Sequence, residues 1–174
     1  MQVFARRGFQ LRTASLETRL AYSGFLALTL PGLVTLVALS VGRIGWSPHA
    51  IAVYYRGGES EMSFPKQFWQ MVEVSHFHLF SVPIVVLILS HLVSSTAISV
   101  RARIVLTVMT YLGAALELAG PWAVRYVAGS FAYALIAGWV LLAAGMSCMV
   151  VISLVAMWSP DRWSFKADDK DDAA

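Results

Sequence analysis

Residues Glu73 to Leu92 read EVSHFHLFSVPIVVLILSHL, one carboxylate and three imidazoles set in an otherwise apolar run. Twenty residues of this kind are enough for a helix to cross a hydrocarbon core of about 30 Å. Histidine inside hydrocarbon is costly, and intramembrane ionisable residues mark functional sites by default. Something must therefore hold His76, His78 and His91: a cofactor, a proton path, or neighbouring helices.

The rest of the chain agrees with a membrane reading. Of 174 residues 58% are hydrophobic and only 13% charged, against roughly a quarter charged in soluble domains, and the mean hydropathy is +0.68. The net charge of +3 comes from the flanks of apolar segments, so it gives no case for nucleic acid as a partner. The one cysteine, Cys148, lies in an apolar run and reads as a buried, inert thiol. No Cys-x-x-Cys-His is present, which excludes covalently attached c-type haem.

Four stretches meet the length test for a span: Leu20 to Gly42, Phe68 to Ile98, the run from Arg103 to Gly120-Pro121, and Val127 to Trp158. Pro31-Gly32 predicts a kink or break in the first, Pro83 a kink in the second, and Gly120-Pro121 a stop to the third. The fold class expected is all-α: a four-helix transmembrane bundle, with a cytoplasmic arm over residues 1–19, a membrane domain over 20–158 and an acidic tail over 159–174. Arg6, Arg7, Arg12, Arg19, Arg101, Arg103, Arg162, Lys166 and Lys170 fall on one side, and only Arg43, Arg56, Lys66 and Arg125 on the other. The positive-inside rule then puts both termini in the cytoplasm and makes the chain a multi-pass protein of a bacterial-type inner membrane. Trp46, Trp69, Trp122 and Trp158 stand near span ends, where an aromatic belt belongs.

Between the first two spans, SPHAIAVYYRGG (Ser47–Gly58) places serine at an N-cap, proline at the first helical position and two glycines at the stop. It predicts a short extracytoplasmic interfacial helix, from about Pro48 to Tyr55, that carries His49, Tyr54, Tyr55 and Arg56.

On the second span, His76 and His91 are fifteen residues apart, hence about 60° apart in direction and about 22 Å along the axis. They share a face with Glu73, Phe80, Pro83, Leu87, Ser90 and Ser94, whereas His78 is turned about 200° from His76. Two histidines about four turns apart on one helix, within four spans, resemble the di-haem membrane cytochromes b of respiratory complexes. That resemblance implies b-type haem anchored by His76 and His91 as metal ligands, with electrons passing between an extracytoplasmic redox partner and a quinone pool. His78 is then an interhelical hydrogen-bonding residue or the alternative outer ligand. Spans one, three and four contain no histidine. The second outer ligand falls to His49, and the inner one to Met109, Met146, an open position, or His91 of a second copy in a homodimer.

Glu117 on the third span falls at the same end as Glu73, His76 and His78, together with Tyr54, Tyr55, Arg56 and Arg125. Arg56 or Arg125 suits haem propionates, and Glu73, Glu117 or Tyr55 suits the proton of a quinol. Glu73 and His76 also form one Glu-x-x-His step of the di-iron type, but such a site needs a second step and further carboxylates. Three functions follow: a haem- and quinone-linked membrane subunit of a redox complex, a cofactor-free structural or accessory subunit, and a proton- or ion-conducting subunit. No nucleophile, phosphate loop or soluble catalytic domain favours a stand-alone enzyme.

Overall fold

The computed structural model describes residues 10–159. The expected acidic tail, with Arg162, Lys166 and Lys170, lies outside the described residues apart from Ser159, as do Arg6 and Arg7. Five α-helices follow one another: α1 Leu16–Leu39, α2 Pro48–Arg56, α3 Phe68–Ser94, α4 Val100–Tyr126 and α5 Ala132–Trp158. The four long ones, α1 extended through a π-turn at Ser40–Ile44 and α5 preceded by a 3-10 turn at Gly129–Phe131, are each apolar and long enough to cross a membrane. The architecture is the all-α one expected, a four-span bundle with one short helix between the first two spans.

Each start has a local cause. Ser15, Ser47 and Ser99 accept hydrogen bonds from the amides of Thr18, Ala50 and Ala102, so three helices open on serine caps. Helix α2 ends at Gly57, whose φ of +81° suits a residue without a side chain; a Cβ there would sit 2.7 Å from the Ser63 carbonyl oxygen. The loop after it folds back on α2 through paired backbone bonds between Gly58 and Ser63 and through Lys66 N–H to Tyr55 C=O.

Helix α5 is the centre of the packing, touching α1, α2, α3 and α4, and its contact with α4 is the most extensive. The reason is small residues. A Cβ on Gly113 of α4 would lie 2.5 Å from the Leu142 backbone nitrogen, and one on Gly138 of α5 would lie 2.7 Å from Leu116 Cβ and 3.0 Å from the Glu117 nitrogen. Gly120 and Gly145 are equally tight against Leu135 and Thr110. Lipid gives little hydrophobic push between helices, so such close backbone approach is what drives them together. One half of the bundle is sealed by an apolar core that includes Leu26, Leu33, Val86, Leu89, Leu142, Met146, Met149 and Val150. A smaller core of Ile51, Tyr55, Met71, Val124, Leu135 and Trp139 ties α2 to the opposite end.

Helix α1 is held chiefly by α5. Trp158 Nε1–H donates to Ser23 Oγ at 2.9 Å, and the Arg19 guanidinium lies 4.1 Å over the Trp158 ring. Leu11 is fully buried and its amide bonds to Ser95 C=O, which fastens the segment before α1 to the end of α3.

Three expectations are corrected. Gly120-Pro121 does not stop the third span; α4 runs on to Tyr126. Its last turn is tied from outside by Arg56 Nη1 on the carbonyls of Val124 (3.1 Å) and Arg125 (3.4 Å), by Trp122 Nε1–H to Ser75 Oγ (2.7 Å), and by Arg125 Nε–H to Lys66 C=O (3.1 Å). Those bonds outweigh the one backbone bond that proline forfeits. Of the kink or break expected at Pro31, the break is corrected: α1 is continuous from Leu16 to Leu39. Cys148 is exposed, because α5 is apolar on every side and one side must face lipid.

Candidate functional site

At the α2 end of the bundle a cavity of about 360 Å³ opens between the end of α1, the start of α3, the end of α4 and the underside of α2. Volumes of roughly 300–1,000 Å³ are those of small-molecule pockets. Its floor is a titratable pair: His78 Nδ1 and Glu117 Oε1 are 2.9 Å apart, across α3 and α4. The Glu117 side chain is only 9% exposed and that of His78 27%. The other carboxyl oxygen, Glu117 Oε2, is buried and has no hydrogen-bond partner among the described residues. Pro121 stands four residues on and has no N–H for the Glu117 carbonyl, so the backbone at this point is also short of a donor.

His78 is three residues from Ser81, the midpoint of α3, so the pair sits about 5 Å from the middle of the span. An acid and an imidazole at that depth share one proton most cheaply: whichever holds it, the other accepts, and neither charge is left alone in hydrocarbon. His78 Nε2 and Glu117 Oε2 are the atoms of the pair not spent on each other.

The walls carry both kinds of surface. Leu36, Leu39, Ile44, Val74, Leu118 and Trp139 are apolar; Arg43, Tyr54, Lys66, Gln70 and Glu73 are not. The Lys66 ammonium lies 4.1 Å over the Tyr54 ring. Tyr55 belongs to α2 and is buried; burial first, then Tyr54 and Glu117, push its hydroxyl above the ordinary tyrosine range, so it stays a proton donor.

The residues singled out from sequence divide into three groups. Glu73, Glu117, Tyr55 and His78 all border the cavity. Arg56 and Arg125 do not; their guanidinium groups bind backbone carbonyls at the end of α4 and at Lys66, where they fasten the loops. His49 stands on α2 with its side chain 78% exposed and its Nε2 3.3 Å from Glu61 Oε1. Glu61 is held below the usual carboxylate range, mainly by the hydroxyl of Ser60 at 2.6 Å. His76 and His91 share one side of α3, as the helix geometry requires, and that side is exposed. His76 meets Phe80 edge-on at 5.2 Å, and among the described residues neither imidazole has a hydrogen-bond partner. Met146 is packed in the apolar core and Met109 is 44% exposed on α4. Among the described residues no three His, Cys, Asp or Glu side chains converge.

Arg43, Lys66, Gln70 and Trp139 are cavity residues to which sequence reasoning assigned no role in a site. A signal for the inward side of α4 was present in the sequence. Gly113 and Gly120 are seven residues apart, as are Gly138 and Gly145, and Glu117 lies within about 40° of Gly113. A small-residue stripe marks the side where helices meet, and it would have turned Glu117 inward.

These features define a multi-pass helical membrane protein with a polar site between its spans. The chain belongs to the Aq_1264_TM family, a transmembrane helical domain, whose model matches residues 45–163. The match takes in α2 through α5 and with them the His78–Glu117 pair; α1 and Arg43 precede it. No curated protein and no solved structure matches the chain.

Proposed function

We propose that the chain is a membrane subunit of a redox complex and that its cavity receives the headgroup of a quinone or quinol. The observation that carries this reading is Glu117: a carboxyl group nine-tenths buried, one oxygen on His78, the other without a partner among the described residues. A quinone headgroup is a flat apolar ring with an oxygen at each end. The mixed walls suit the ring and its isoprenoid tail, and the His78–Glu117 pair suits one oxygen. Oxidising a quinol releases two protons with its two electrons: one hydroxyl can pass its proton to the pair and the other to solvent through the open side of the cavity, and reduction of a quinone runs the same transfers in reverse. The two electrons go to a redox centre on a neighbouring subunit. Tyr55, kept protonated by burial, serves as a hydrogen-bond donor rather than a base.

Haem at His76 or His91 would need its second axial ligand from another chain, since both rings stand on the exposed side of α3; the cavity chemistry does not depend on it. A conduction path through the bundle is less well supported, because the half beyond the pair is filled by Leu26, Val86, Leu89, Leu142 and Met149. A purely structural role gives no reason to leave a buried carboxyl oxygen unmatched, at a typical cost of about 1–3 kcal/mol.

Binding of a short-chain benzoquinone or naphthoquinone to the purified full chain, followed by quenching of tryptophan fluorescence, tests the reading, since Trp139 lines the cavity. Saturable quenching is expected in the wild type. Glu117→Gln and His78→Ala should each weaken it at least about tenfold, the loss of one charge-assisted hydrogen bond. No saturable binding in the wild type, or full affinity in both variants, would refute it.

A further inference from the structure

Helix α3 turns one side to the bundle and leaves the other uncovered by any described element. On the uncovered side Phe80 is 65% exposed, Ile84 54% and Leu87 60%. Apolar exposure is ordinary for a membrane helix, because lipid covers it. Lipid does not serve Glu73, His76 and His91, which lie on that same side and are exposed with it. Helix geometry places Glu73, His76, Phe80, Leu87 and His91 within about 60° of one another. Measured from Ser81, His76 lies about 8 Å and Glu73 about 12 Å from the middle of the span, and His91 about 15 Å on the other side. With a hydrocarbon half-thickness of about 15 Å, Glu73 and His76 fall inside the apolar layer and His91 at its border. Among the described residues neither Glu73 nor the His76 ring has a hydrogen-bond or ion-pair partner, a cost that another protein surface would remove.

We propose that a second copy of this chain covers this side of α3, in a parallel dimer whose two-fold axis runs along the membrane normal. Copies of one sequence insert with one orientation, so residues at equal depth meet across such an axis. An acid and a base one turn apart on one face are then self-complementary: Glu73 reaches the partner subunit's His76, and His76 reaches the partner subunit's Glu73. One symmetric contact then makes two such pairs and leaves neither group unmatched. A different membrane subunit would need its own matched acid and base at the same depth. Glu73 also borders the cavity, so the dimer brings the partner subunit's His76 to the cavity mouth. The contact itself holds whatever the cavity binds.

Cysteine cross-linking of the full chain in native membranes tests this. The background is Cys148→Ser, at an exposed position. Phe80→Cys and Leu87→Cys, seven residues apart on the strip, should each give a disulfide-linked species of twice the chain mass on mild oxidation. Leu28→Cys, 77% exposed on α1, should not. In the Leu87→Cys protein, adding Glu73→His should lower the cross-linked fraction severalfold, and adding His76→Glu to that should restore it. Absence of the like-with-like product at both positions, products only with an unlike protein, equal cross-linking at Leu28→Cys, or a yield indifferent to the charge swap would each overturn the proposal.

Discussion

A methyl group added to Gly113 loads one of the tightest contacts in the bundle. In Gly113→Ala the new carbon would sit 2.5 Å from the Leu142 backbone nitrogen and 3.0 Å from Leu141 Cβ. Ordinary contact begins at 3.4 Å, so α4 and α5 must separate by about 0.9 Å, and the first obstacle is backbone that cannot rotate away. A gap of 0.5–1 Å forfeits roughly a quarter to a half of each dispersion contact along the seam, and overpacking of this kind costs about 1–3 kcal/mol. Alanine also returns up to about 1 kcal/mol of helix propensity, which would blur the result. Gly32→Ala on α1 removes that ambiguity, because nothing lies within 4 Å of a Cβ there. The difference between the two variants isolates the clash, about 1–3 kcal/mol, or roughly 5- to 150-fold in the unfolding constant. Reversible unfolding in mixed micelles, followed by circular dichroism, measures it. If Gly113→Ala proves as stable as Gly32→Ala, the close packing of α4 on α5 is not what holds them. The same seam sets the position of Glu117, whose amide lies 3.0 Å from a Cβ on Gly138, so quinone affinity should fall along with stability.

Two local contacts give further outcomes. Arg56→Ala removes two guanidinium bonds from the end of α4; amides around Val127 should open more easily by about 1–2 kcal/mol, read as roughly tenfold faster hydrogen exchange, and unchanged exchange would deny Arg56 this capping role. Glu61 is held low mainly by Ser60, so its contribution is present above the ordinary carboxylate pKa and is lost as pH falls through the lowered value. Ser60→Ala should move the Glu61 midpoint upward in a carbon-13 NMR titration, and an unmoved midpoint would assign the shift elsewhere.

The spans and the short helix were legible because they rest on local physics. Length and hydropathy mark the four long helices, and Ser47, Pro48 and Gly57 bracket α2 by capping chemistry. Pro121 misled because its penalty is local, whereas the bonds that carry α4 past it come from Arg56, Ser75 and Lys66, distant in sequence. The site was half legible. Spacing correctly set His78 on the opposite side of α3 from His76, but α3 has both apolar residues and histidines on each side, so nothing in its periodicity said which side faced inward. Weight therefore went to His76 and His91, the two that share a face, while the structure places the inward contact at His78. The cations divided in the same way: Arg56 and Arg125 end on backbone carbonyls, and Arg43 and Lys66 line the cavity.

The clasp of Trp158 on Ser23 and Arg19 has a consequence for synthesis. Its hydrogen bond joins residues 135 apart in the chain, and α1 has its main interhelical contact with α5. At roughly 5–20 residues per second, α1 enters the membrane about 7–27 s before its partner exists. During that interval it lacks its main partner, although Leu11 can already bond to Ser95 at the end of α3. The first helix made is thus the last to be locked, and a chain truncated before Trp158 should leave α1 unclasped even though every other span is in place.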